Sequence, residues 1–238
     1  MKLSKLGILA VLAMIALYVR VIYFTPIEAL QGAAQKIFYV HLPSAIMGFT
    51  AVGIAAVAGG LYLWLRDARL DRIAESAIEV GLVFLTVVLV SGPLWARPIW
   101  GTFWTWDARL TLTLFLWFIL VGNVILRGAI DNPELRARYS AVLAILGAIL
   151  VPFIHLSVYL FRTLHPKPIL IKPSAPSMPP EMETTMAIAF CAFILLFAYL
   201  LHERYLLATE RESALEHSEH SERDDARVVQ PMVAGHGA

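Results

Sequence analysis

Ala77-Ile-Glu-Val-Gly-Leu-Val-Phe-Leu-Thr-Val-Val-Leu-Val-Ser-Gly-Pro-Leu-Trp-Ala96 contains a single charged residue, Glu79, close to its start. A helix needs about 20 predominantly apolar residues to cross the hydrocarbon core of a bilayer. The stretch does not alternate apolar and polar residues, as a strand of a membrane barrel would. Five further blocks share this character, at roughly 6–24, 42–65, 110–126, 139–161 and 184–202, each near the length a bilayer demands. Together the blocks predict an all-α polytopic membrane protein of six transmembrane helices. Composition agrees: 59% of the chain is hydrophobic and 16% charged, with a mean hydropathy of +0.70. A soluble domain averages about 45–50% and about 25%.

Lys2 and Lys5 precede the first block, as in a signal peptide. No small-residue cleavage site follows, and Arg20-Val-Ile-Tyr-Phe24 extends the apolar run, so a retained helix is expected. Pro93 and Pro152 lie inside apolar runs, where membrane helices accommodate them as kinks. Basic residues in short loops set the orientation. With the N-terminus in the cytoplasm, that side receives Lys2, Lys5, Arg66, Arg69, Arg72, Arg127, Arg136, Arg138, Arg204 and Arg211, with Arg223 and Arg227 in the tail. The other side receives Arg20, Lys36, Arg97, Arg109, Arg162, Lys167 and Lys172. The bias places both termini in the cytoplasm. The expected organisation is a membrane domain over 1–203 and a charged cytoplasmic tail over 204–238. Residues 203–215 are expected to extend the sixth helix and the remainder to be disordered. His217, His220 and His236 form a sparse tract there, and a solvated tail is a better reading of it than a metal site.

Several functions are excluded or disfavoured. A net charge of +1 offers no basic surface for nucleic acid. The single cysteine, Cys191, allows no disulfide within the chain, no Cys-x-x-Cys pair and no Cys-x-x-Cys-His attachment of haem. No Gly-x-x-x-x-Gly-Lys-Ser/Thr loop is present for nucleotide hydrolysis.

Between the third and fourth blocks runs Gly92-Pro-Leu-Trp-Ala-Arg-Pro-Ile-Trp-Gly-Thr-Phe-Trp-Thr-Trp-Asp107, which holds Trp95, Trp100, Trp104 and Trp106 of the chain's six tryptophans. An interfacial aromatic belt would scatter such residues over both membrane faces. Concentrated in one outer loop over 95–107, with Phe103 and Thr102 among them and Gly101 permitting close backbone approach, they make a flat apolar platform. Aromatic rings stack on other π systems, so the platform suits a porphyrin, which is flat, apolar and carries two carboxylates. Arg97 and Arg109 flank the loop, either to meet those carboxylates or to anchor the loop at lipid headgroups. Asp107 precedes the fourth block, where it can cap a helix, contact the ligand or do both.

His41, just before the second block, and His165, just after the fifth, fall on the same outer face as the Trp-rich loop. Each alone reads as an interfacial polar residue. Beside an aromatic platform, they read as a pair of axial ligands for haem iron. His155, within the fifth block after Pro152, is an intramembrane ionisable group and ranks below them. His202 closes the sixth block on the inner side.

Trp100-Gly-Thr-Phe-Trp-Thr-Trp-Asp107, followed by Ala-Arg-Leu110, resembles the WWD signature of haem-handling membrane proteins. Gln35-Lys-Ile-Phe-Tyr-Val-His-Leu-Pro-Ser44, Pro152-Phe-Ile-His-Leu-Ser-Val158 and Thr163-Leu-His165 resemble the CcmC family within that superfamily. Two departures stand out: Leu160 and Phe161 occupy places where that family often has tryptophans, and Pro166 follows the second histidine in place of a polar residue. The resemblance implies a non-enzymatic protein of the bacterial inner membrane that binds haem b non-covalently at the periplasmic face. His41 and His165 would be the ligands and the Trp-rich loop the cradle. It further implies presentation of haem to the chaperone CcmE, in a complex with CcmA, CcmB and CcmD. The rivals are a transmembrane haem transporter, which should show helices broken at the midplane, and a cytochrome c haem lyase, which should carry more helices and a further histidine pair.

Overall fold

The computed structural model describes residues 4–166 and 178–234, with side chains described in the last helix as far as Ala214 and at His217 and Ser218. It contains six helices long and apolar enough to cross a membrane, and no strand among the described residues. These are α1 (Lys5–Val19), α2 (Phe38–Leu65), α3 (Ala68–Trp100), α4 (Ala108–Ala129), α5 (Pro133–Leu160) and α6 (Pro180–Ala234). A π-helical turn, Arg20–Phe24, prolongs α1, and a 3₁₀ turn, Ala33–Ile37, leads into α2.

Local sequence explains where most helices begin. Ser4, Asp67, Asp107 and Asn132 each accept a bond from a first-turn amide of α1, α3, α4 and α5, and Pro133 supplies a preset φ at the start of α5. Short connections at Arg66–Asp67 and at 130–132 force antiparallel neighbours. The helices then bury small residues against one another, as membrane helices do. A Cβ on Gly59 of α2 would come within 3.0 Å of the Ala141 backbone on α5. Buried Asn123 and Ser140 join α4 to α5: Asn123 Nδ2 donates to the Ser140 carbonyl at 2.9 Å and Ser140 Oγ donates to Asn123 Oδ1 at 2.7 Å. Leu17, Tyr39, Phe84, Met186 and Phe193 make one core among α1, α2, α3 and α6; Val52, Ile78, Leu85, Leu116, Leu120 and Ile154 make a second among α2, α3, α4 and α5. The outward faces carry leucines and isoleucines such as Leu9, Leu12 and Ile15, a surface suited to lipid.

Three boundaries differ from expectation. Helix α2 starts at Phe38, so His41 lies in its first turns and not before it. Helix α3 runs through Pro93 and Pro98 to Trp100, so the first half of the tryptophan segment is helical. Each proline removes one backbone donor and one bond, and the helix ends only where Gly101 turns left-handed at φ 77° and its N–H caps the Arg97 carbonyl. Helix α6 continues to Ala234, since the Glu, Arg and Ala of the tail are good helix formers. His202 is therefore mid-helix. Of the tail histidines, His217 bonds back to the Ser213 carbonyl at 2.6 Å, while the side chains of His220 and His236 lie outside the described residues.

At the end of the bundle where α3 and α5 begin, charges are paired. Arg127 of α4 meets Asp71 and Glu75 of α3 at 2.8 Å each, and Arg211 of α6 reaches Glu75 at 3.7 Å. Arg204 pairs with Glu79 and Arg72 with Glu212, tying α6 to α3.

Candidate functional site

The opposite end holds a chamber of about 1230 Å³. It lies where α1, α3 and α5 finish and α2, α4 and α6 begin. Its wall includes His41 of α2, Trp95 and Trp100 of α3, Phe103 and Trp104 of the α3–α4 connection, Arg109 of α4, His155 of α5, and His165 beyond α5. Pockets for drug-sized ligands span about 300–1,000 Å³ and are mostly apolar with a few placed polar groups. This chamber fits that description and is larger.

His41 is held from α3. Its Nδ1 lies 3.0 Å from Ser91 Oγ, and Ser91 Oγ donates its own hydrogen to the Val87 carbonyl at 2.6 Å. A hydroxyl has one hydrogen to give, so the imidazole Nδ1–H is the donor and Nε2 keeps its lone pair. Gly92 makes the close seat possible: a Cβ there would stand 3.2 Å from His41 Cε1. The Trp95 ring meets the His41 ring edge-on at 5.8 Å, and Trp95 Nε1 is itself anchored on Gln31 Oε1 at 3.0 Å.

His165 reaches the same state by a different route. Its Nδ1 lies 3.0 Å from the Pro166 carbonyl, which can only accept, so here too Nδ1 carries the proton, and Nε2 has no partner among the described residues. Burial and then the nearby Arg109 guanidinium pull its pKa down from 6.5 to about 4, against the opposing effects of the Pro166 carbonyl and the Asp107 carboxylate. The imidazole is therefore neutral near pH 7, as an iron ligand must be. The Trp100 ring stands edge-on to it at 6.5 Å. Two histidines, each beside a tryptophan of α3, thus line one chamber with Nε2 unused among the described residues.

Two buried donors in the wall have no acceptor among the described residues: Arg109 Nη1 and Trp104 Nε1. Buried polar groups are normally satisfied, so a pair of orphaned donors at one cavity points to an anionic or carbonyl oxygen from a ligand. A porphyrin carboxylate would supply such an oxygen. The residues present therefore fit haem at both of its polar features, the iron and the propionates.

The remaining predicted residues, His155 apart, serve the wall from outside it. Trp106 is 78% exposed and packs its edge on Trp104 at 5.8 Å. Arg97 lies over the Phe103 ring at 5.5 Å and donates to the Gly101 carbonyl, which folds the connection back on α3. Thr102 Oγ1 bonds the Trp104 backbone on both sides, donating to its carbonyl at 3.1 Å and accepting from its amide at 3.4 Å. Asp107 caps α4 by accepting from the Leu110 amide at 3.0 Å, and its other oxygen accepts from Thr105 at 3.2 Å and from Thr163 at 2.8 Å. His155 lines the chamber with its ring against Tyr159 at 6.4 Å. The roles of Ser91, Gly92, Gln31 and Thr163 are not visible in the sequence, because each meets a partner far away in the chain.

The model of the family described as Heme exporter protein C matches residues 2–220. The chain belongs to that family. It is 36% identical to Heme exporter protein C of Bradyrhizobium diazoefficiens over 74% of this chain and 66% of that protein, so it spans just under two thirds of that relative. It is 34% identical to Heme exporter protein C of Haemophilus influenzae over 90% of this chain and 87% of the relative. With Heme exporter protein C of Escherichia coli it shares 37% identity over 74% and 71%. Membership of the Heme exporter protein C family agrees with a multi-pass membrane protein that handles haem for cytochrome c maturation.

Proposed function

We propose that this protein binds haem b non-covalently in the chamber and presents it, at the periplasmic face of a bacterial inner membrane, to the chaperone CcmE. It does so as a non-enzymatic subunit beside CcmA, CcmB and CcmD. The observation that carries this reading is the pair His41 and His165, both with Nδ1 engaged and Nε2 free, lining one cavity beside Trp95 and Trp100. Histidine is a common axial ligand of haem iron, and second-shell acceptors at Nδ1 orient such ligands and raise their basicity. Trp95, Trp100, Phe103 and Trp104 supply ring contacts, and Arg109 with Trp104 Nε1 supplies donors for a propionate. The haem is cargo; the chain's part is to ligate it, orient it and exclude water from it.

Co-expression with CcmE tests the role. The chain should co-purify with haem and with the chaperone, and the chaperone should acquire covalently bound haem only when the chain is present. Haem bound by the chain with no covalent adduct on CcmE would overturn presentation as its task.

A further inference from the structure

Asp107 does more than cap α4, and what it does bears on one of the two proposed ligands. Its carboxylate divides its oxygens. Oδ1 accepts from the Leu110 amide at 3.0 Å, the ordinary cap. Oδ2 accepts from Thr105 Oγ1, two residues upstream in the tryptophan connection, and from Thr163 Oγ1 on the segment after α5. The Thr163 contact spans 56 positions of sequence at 2.8 Å. An ionised carboxylate can only accept, so the Thr163 hydroxyl donates to it. That polarity leaves the hydroxyl's lone pairs facing back along the chain, where the same oxygen accepts the backbone N–H of His165 at 3.0 Å. Amide, hydroxyl and carboxylate form one line of donors and acceptors, and such chains polarise one another.

The two histidines depend on this line very differently. His41 sits within a helix and is seated by a neighbouring helix through Ser91 and Gly92. His165 follows the end of α5 at Leu160 and is not in a helix. Its backbone is fixed by Thr163, and Thr163 is fixed by Asp107.

Resting on the haem-site reading above, we propose that Asp107 is a positioning residue for His165. Through Thr163 Oγ1 it latches the second ligand segment to the tryptophan connection, so that ring contact and iron ligation are set by one carboxylate. Releasing that latch frees the His165 side of the iron while His41 stays in place. The two ligands are therefore unequally supported, His165 by the latch and His41 by α3.

The test uses the full chain purified with haem, its visible spectrum recorded for the wild type and for Thr163→Val, Thr163→Ser, Asp107→Asn and His165→Ala. Val keeps the shape of Thr163 without the hydroxyl; Ser keeps the hydroxyl; Asn keeps the cap, since Asn and Asp cap about equally well. Thr163→Val should shift the ratio of low-spin to high-spin haem about tenfold toward the five-coordinate form of His165→Ala, the factor expected for losing one charge-assisted bond. Added imidazole should restore the low-spin spectrum in both. Thr163→Ser should match the wild type, and Asp107→Asn should fall between. In combination with Thr163→Val it should add nothing, because Asn only weakens the bond that Val removes. If Thr163→Val does not fold, Asp107→Asn alone carries the test. A low-spin spectrum in both Thr163→Val and Asp107→Asn, with His165→Ala high-spin, would overturn the latch and leave the haem site standing. Equal loss in Thr163→Ser would also overturn it. A wild type without low-spin haem, or His165→Ala identical to it, would remove the haem-site reading and the latch together.

Discussion

Arg127 and Arg109 stand at opposite ends of α4, and their surroundings differ in what answers their charge. Arg127, its side chain 7% exposed, receives both oxygens of Asp71 at 2.8 and 2.9 Å and Glu75 at 2.8 Å. Arg109 has no ion pair among the described residues, and its Nη1 is buried without an acceptor. The contrast extends to the two ends as wholes. At the Arg127 end Arg72, Arg204 and Arg211 also meet carboxylates. At the chamber end Arg20 bonds the Thr185 hydroxyl, Lys36 the Ile22 carbonyl and Arg97 the Gly101 carbonyl. Among the described residues, the cations named at one end meet carboxylates, and Arg20, Lys36 and Arg97 at the other meet hydroxyls and carbonyls, which builds stability in the first place and leaves room for an anion in the second.

Removing a cation from each end separates these roles. Arg127→Ala strands Asp71 and leaves Glu75 only its longer contact to Arg211, and breaking a buried pair typically costs about 3–5 kcal/mol. Its unfolding midpoint in detergent should fall well below that of the wild type. Arg109→Gln breaks no ion pair among the described residues, so its unfolding midpoint should fall far less than that of Arg127→Ala. Haem affinity should invert the ranking. Arg109→Gln should weaken haem binding about 10–100-fold, the scale of one hydrogen bond to a charged group, about 1.5–3 kcal/mol. Haem dimethyl ester, which lacks the carboxylates, should bind both proteins alike. An equal loss with the ester would show that Arg109 acts on packing and not on an anion.

Smaller effects sharpen the same picture. Ser91→Ala removes the acceptor of His41 Nδ1 and should cost about tenfold in haem affinity, the lower end of the second-shell range. The reduction potential of bound haem should move with it, which a packing defect alone would not cause. Arg97→Gln loses a cation–π contact at an accessible site and should cost about 0.5–1 kcal/mol, read as a small drop in the unfolding midpoint. A larger loss of haem from Arg97→Gln than from Arg109→Gln would exchange their roles.

Much of this was legible in the sequence because it is local. Apolar blocks of bilayer length showed the six helices, and the crowding of tryptophans showed the wall of the chamber at Trp95, Trp100 and Trp104, though not at Trp106, which lies outside it. Asp107 was legible as a cap for the same reason. The apolar block suggested a third helix ending near residue 96, with Pro93 as a kink inside it, yet α3 continues past Pro98 to Trp100, since packing against α2, α4 and α6 outweighs the lost bonds. The partners of the histidines were not legible. Ser91 lies 50 positions from His41 and Asp107 lies 56 from Thr163, and nothing in a local pattern joins them. The carboxylates facing Arg127 were hidden likewise: loop charge was counted as a cue to orientation, whereas Arg127 is spent on α3.

The central claim is that His41 and His165 ligate one haem iron in the chamber, and the visible spectrum of the purified chain tests it most directly. The wild type should show low-spin haem with two histidine ligands, and His41→Ala and His165→Ala should each convert it to a high-spin form or lose haem. A low-spin spectrum unchanged in both variants would contradict the account.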